Sequence, residues 1–106
     1  MKTVNSTVPE KVRELINGIE PEAEVILYGS HARGEAEPDS DWDILIITDR
    51  ILSWDEEQKL RSVIYRYEVA SDTVLSLVIH SKKEWDNPLF QLTPFYRNVV
   101  RDGIII

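Results

Sequence analysis

Two short stretches in the first half of the chain carry residue types that could handle a phosphate and a divalent cation. Gly29 and Ser30 follow directly on the apolar run Val25-Ile26-Leu27-Tyr28. A strand that ends on glycine can turn sharply, because no Cβ obstructs the bend. Ser30 then brings a hydroxyl and the free backbone N–H groups of a helical turn, which together cradle an anion. Asp41 and Asp43 stand at the head of the next apolar run, Ile44 to Ile47. At i, i+2 on a strand they point to one side, ~6.5 Å apart, with Trp42 between them facing the core. Carboxylates that close repel unless a cation neutralises them, and hard oxygen ligands select Mg²⁺ or Mn²⁺. A phosphate cradle at one strand end beside an acid pair on its neighbour is a site for metal-assisted phosphoryl or nucleotidyl transfer.

Neither half is specific alone. An Asp-x-Asp pair is most often a solvated pair of loop acids, and Gly-Ser after a strand is most often a turn. The joint order is what carries the reading: apolar strand, Gly-Ser, Arg33-Gly34, a polar loop, Ser40-Asp41-x-Asp43, apolar strand. His31 is expected to be a solvent-exposed loop histidine, with a place lining the nucleotide pocket as the alternative, and His80 to close a strand in a structural role. Lys82-Lys83 reads as helix surface. Trp85, Phe90, Phe95 and Tyr96 read as core or a partner patch rather than a base-stacking platform. No Ser-His-Asp set or helical metal motif is present.

These residues must be positioned by a short succession of elements. Thr7 and Glu10 have capping-box spacing, and Val8, Val12, Leu15, Ile16 and Ile19 recur at helical intervals, so a helix over about Val8 to Ile19 is predicted. Glu24 to Tyr28 reads as a strand, and residues 30 to 41 as a loop with one helical turn after Ser30. Trp42 to Thr48 is a strand apolar on both faces, hence central. Ser53 with Glu56 caps a helix whose inner face is Leu60, Val63, Ile64 and Tyr67. Thr73 to Ile79 is a third strand, Ser81 with Glu84 caps a short segment, and Thr93-Pro94 opens a last helix that ends before Gly103. Ile104 to Ile106 add a final short strand. This alternation predicts a small α/β (α+β) fold, a mixed sheet covered by helices.

The 106 residues suit one domain, residues 1–106, with a single core. Nineteen acidic against 12 basic residues give a net charge of -7, which argues against non-specific binding to nucleic acid. A single triphosphate is still accessible to a loop and a metal ion. With no cysteine, disulfides and thiolate metal sites are excluded. The longest apolar runs are far shorter than a membrane helix, and the first residues lack a signal peptide's apolar stretch, so a cytoplasmic location is expected. Apolar surface around Leu89, Phe90, Phe95 and Tyr96 suggests self-association.

Residues 29–34 and 40–44 resemble the signature of the nucleotidyltransferase superfamily related to DNA polymerase β. Its smallest members, the minimal nucleotidyltransferases, carry Gly-Ser-x-Ala-Arg-Gly and then Ser-Asp-x-Asp-Ile/Leu. The resemblance implies that Gly29, Ser30, Arg33 and Ser40 bind the nucleotide's phosphates. It implies that Asp41 and Asp43 are the catalytic ligands of Mg²⁺ (or Mn²⁺), with ATP as substrate and pyrophosphate leaving. Active relatives place a third carboxylate on the next strand, and Ser76 aligns with it here. Asp72 shares the face of Ser76 but lies ~13 Å back along the strand, and Glu68 is a poorer substitute. The resemblance further implies transfer of AMP to a hydroxyl of an α-helical HEPN-type partner protein, as the antitoxin of a toxin-antitoxin pair. The alternative is a catalytically weak or inactive nucleotide-binding module that regulates its partner by contact.

Overall fold

The computed structural model describes residues 3–106. In chain order these form α1 (Thr3–Ile19), β1 (Glu24–Tyr28), α2 (Gly29–Arg33), β2 (Trp42–Thr48), α3 (Trp54–Ser71), β3 (Leu75–Ser81), α4 (Lys82–Trp85), a 3-10 turn (Phe90–Leu92), α5 (Pro94–Asp102) and β4 (Ile104–Ile105). The sheet order is β3-β2-β1-β4. β1 runs antiparallel to β2 and β4, while β3 runs parallel to β2, so the sheet is mixed as the sequence predicts.

β2 is an inner strand because both of its faces are apolar. Ile44 and Ile46 meet Val12 and Ile16 of α1 and Leu60 and Ile64 of α3 on one side of the sheet. Leu45 and Ile47 join Ile26, Trp85 and Val99 on the other. Trp42 belongs to the first of these layers, facing away from the acids beside it. Side chains alternate along a strand, so the same register that buries Leu45 and Ile47 on the second face sends Asp43 to that face too. The apolar run thereby sets the direction of the acid.

Four expectations are corrected. α1 begins at Thr3, so Thr7 and Glu10 lie inside the helix and do not mark its start; Pro9 sits within its first two turns. The inner face of α3 is Leu60 and Ile64, with half-buried Tyr67 packed against the same core, while Val63, also half-buried, stands outside it. β3 starts at Leu75 rather than Thr73. Asp72 ends α3 in the left-handed conformation (φ 55°), and Thr73 N–H still donates to the Glu68 carbonyl at 3.2 Å, so those residues finish the helix instead of opening the strand. The apolar surface expected around Leu89, Phe90, Phe95 and Tyr96 shrinks to Leu89 and Leu92, because the three rings are half-buried against Trp85.

Candidate active site

The site is built where β1 ends and β2 begins. The chain leaves β1 at Tyr28 and turns into α2 through Gly29, whose φ of 76° lies in the left-handed region that suits glycine. A Cβ at Gly29 would collide with Asp43 Oδ2 and lie 3.0 Å from Asp43 Cγ. The backbone of the turn and the acid of the neighbouring strand are therefore in direct contact. Gly34, at φ 73°, ends α2, and Glu35 N–H closes it by donating to the Ser30 carbonyl at 2.9 Å. Ser40 closes the following loop: its hydroxyl accepts from Glu37 N–H at 2.8 Å, and its own N–H donates to the Glu37 carbonyl at 3.0 Å.

Register aligns three polar side chains across the sheet. Tyr28 pairs with Asp43, and Asp43 pairs with Ser76. Paired residues on neighbouring strands project from one face, so Tyr28, Asp43 and Ser76 form a row. Asp43 and Tyr28 are half-buried, Ser76 is exposed, and Asp41 is exposed just before β2. Burial, and then the charge of Asp41, raise the Asp43 carboxyl above its ordinary value, against the pull of His31 and Arg33. Burial, and then Asp43, push the Tyr28 hydroxyl up to about 12, so it is a neutral donor at physiological pH.

Among the described residues no hydrogen bond or ion pair engages either carboxylate. Nor do three His, Asp or Glu side chains gather there to hold a metal ion by themselves. Two neighbouring carboxylates whose charges repel suit Mg²⁺, which commonly takes one or two carboxylates and completes its shell with water and substrate phosphates. The raised pKa has a consequence for stability. An acid whose folded pKa is raised binds its proton more tightly when folded, so stability falls as pH rises through that range. Asp43→Asn is therefore expected to raise the melting temperature of the metal-free protein at pH 7 and to flatten the fall in stability as pH rises from the ordinary carboxylate range upward. A lower melting temperature in the variant would contradict this.

The other candidates are placed as follows. Arg33 Nε donates to Glu35 at 2.9 Å, and its Nη1 donates to Asp102 Oδ2 at 3.3 Å, which ties the turn after β1 to the end of α5. His31 corrects an expectation: it is half-buried, not a solvent-exposed loop residue, and its ring lies on Trp42. No pattern in the sequence pairs these rings, because their approach depends on the path of the intervening loop. Glu68 takes no place beside the acid pair; its carboxylate accepts the Leu75 N–H at 2.8 Å. Asp72 ends α3, away from the row. His80 sits against Phe90 at 4.8 Å and near Glu84, as expected of a structural residue. Trp85, Phe90, Phe95 and Tyr96 form the second core layer, reaching Tyr28 through Phe95 at 5.4 Å. Lys82 and Lys83 are exposed.

Residues 7–104 match the nucleotidyltransferase domain family. A relative in Methanocaldococcus jannaschii, named a putative protein adenylyltransferase, is 38% identical over 58 residues; the match spans 55% of this chain and 59% of the relative. Among solved structures, a chain of a toxin-antitoxin pair crystallised with AMP-PNP has a TM-score of 0.63 and 21% identity, over 92% of this chain and 71% of its own. A chain from the complex of tri-AMPylated Shewanella oneidensis HEPN toxin with MNT antitoxin has a TM-score of 0.59 and 18% identity, over 94% and 69%. These two likenesses are of fold. Among the described residues no helix is long and apolar enough to cross a membrane.

Proposed function

The chain belongs to the nucleotidyltransferase domain family, and from that premise we propose that it transfers AMP from ATP to a hydroxyl of a partner protein. The observation that carries the reading is the contact between Gly29 and Asp43, where no Cβ fits. That contact brings an anion-binding turn and a cation-binding acid into one site, as a metal–nucleotide complex requires. Gly29 and Ser30 take the triphosphate at the start of α2, Arg33 braces that turn, and Ser40 holds the loop that presents Asp41. Asp41 and Asp43 hold Mg²⁺ together with the phosphates. When bound, the ion neutralises charge as it develops on the phosphates.

In the reaction the acceptor hydroxyl oxygen forms a bond to the α-phosphorus, the bond between the α- and β-phosphates breaks, and pyrophosphate leaves. The hydroxyl proton passes to solvent water, since no carboxylate of β3 stands in the row to take it. Ser76 stands next to Asp43 on the row and can orient the acceptor by a hydrogen bond, but a neutral hydroxyl does not hold the proton as a carboxylate would. Ser76→Asp is therefore expected to raise turnover by about a hundredfold, the lower end of the usual scale of general-base catalysis.

The nature of the relatives supports a protein acceptor, and a HEPN-type toxin as that partner, with this chain as its antitoxin. The test is mass spectrometry of proteins recovered with the tagged chain from its native host. An AMP group on a Ser, Thr or Tyr of the partner supports the reading if it disappears with Asp41→Asn, Asp43→Asn. A partner recovered without modification, from cells in which wild type binds Mg²⁺–ATP, overturns it. Ser76 favours a second reading for that outcome: a nucleotide-binding module that restrains its partner by contact.

A further inference from the structure

His31 takes no part in the proposed transfer, yet its side chain touches the chain on both sides of Asp41. Its Nε2 lies 3.1 Å from the carbonyl oxygen of Ser40. A carbonyl can only accept, so Nε2 carries the proton and donates it. The same ring lies flat over the indole of Trp42, with centroids 3.5 Å apart and planes 9° from parallel. Ser40 and Trp42 are the two neighbours of Asp41.

The two acids of the site are otherwise held very differently. Asp43 lies within β2 and is fixed by pairs on both sides, with Tyr28 and with Ser76. Asp41 lies outside the strand and is exposed, at the end of a loop held near its start by Glu35, through Ser30 and Arg33, and near its end by the bonds between Ser40 and Glu37. Trp42 is a firm anchor, 8% exposed and with its backbone N–H donating to the Val74 carbonyl at 2.9 Å. The imidazole connects that anchor to the Ser40 carbonyl, and it is carried by α2, two residues after Gly29.

We propose that His31 is a positioning residue that holds Asp41 against Asp43, so that one divalent ion can use both carboxylates. The inference rests on the nucleotidyl-transfer reading and adds to it the device that fixes the acid lying outside the strand. An imidazole suits the task because it combines a flat face for the indole with a donor at its rim. Phenylalanine offers only the face, and glutamine only the donor.

The test is Mn²⁺ binding in the presence of AMP-PNP, read from the electron paramagnetic resonance of free Mn²⁺, alongside metal-free melting. His31→Ala is expected to weaken Mn²⁺ binding about tenfold, the usual scale for losing one hydrogen bond and one ring contact. His31→Phe is expected to recover the melting temperature but only part of the affinity, and His31→Gln to recover part of the affinity with less of the melting temperature. Wild-type affinity in His31→Ala overturns the inference. So does full affinity in His31→Phe, since packing alone would then suffice. If wild type binds no Mn²⁺ with AMP-PNP, the transfer reading itself fails, and this inference with it; the first two results leave that reading standing.

Discussion

Asp43→Asn is expected to reduce nucleotidyl transfer by about a thousandfold or more, equivalent to roughly 4 kcal/mol of transition-state stabilisation. The substitution keeps the size of the side chain and removes its charge. Among the described residues no hydrogen bond or ion pair depends on that charge, and His31 and Arg33 favour it only as the lesser effects. Burial and Asp41 already oppose ionisation at this position, and no described residue offers a compensating ion pair. The variant should therefore fold at least as well as wild type while losing its metal–nucleotide complex. A group that is unfavourable to the fold yet placed at a row of polar residues is one retained for chemistry. The loss is measured as turnover of ATP labelled at the α-phosphate, beside the melting temperature of the same sample. Unchanged turnover would mean that the acid pair is only a solvated surface feature.

Gly29→Ala is the second large effect, and Gly34→Ala is its control. Both glycines have positive φ, at 76° and 73°, so an alanine at either costs about 1–2 kcal/mol of backbone strain. Only at Gly29 does the new methyl meet anything: it strikes Asp43, whereas at Gly34 no atom lies within 4 Å. The two variants should thus lose comparable stability from strain, with Gly29→Ala losing more because Asp43 must move. Their effects on the site should diverge sharply. Gly29→Ala is expected to abolish the rise in melting temperature that Mg²⁺–ATP produces, since a ligand stabilises a protein only as far as it binds the folded state. Gly34→Ala should retain that rise. Equal ligand effects in both variants would show that the turn's contact with Asp43 has no part in nucleotide binding.

Much of this arrangement is legible in the sequence, for physical reasons that can be named. The run Ile44 to Ile47 announces an inner strand, and its alternation fixes the side on which Asp43 emerges. Ser53 with Glu56 and Ser81 with Glu84 mark helix starts through local bonds that depend on nothing remote. The same reasoning misplaces the start of α1, because Thr7 and Glu10 have the spacing of a cap within a helix that has already begun. It places β3 two residues early, because β-branched Thr73 and Val74 read as strand while the ending of α3 claims the backbone there. The contact of Gly29 with Asp43 was implicit in the motif, but its closeness is a matter of register. The stack of His31 on Trp42 was hidden, since it joins residues on either side of a loop whose path the sequence does not state.

The central claim is that the turn at Gly29 and the acids Asp41 and Asp43 form one nucleotidyl-transfer site. The most direct measurement incubates the protein with Mg²⁺ and its native host extract, in parallel with ATP labelled at the α- or the γ-phosphate. Wild type is run beside Asp41→Asn, Asp43→Asn. The account predicts a protein that acquires the α-label and never the γ-label, and that stays unlabelled with the double variant. Transfer of the γ-label, or an α-labelled protein that persists with both acids neutralised, would contradict it.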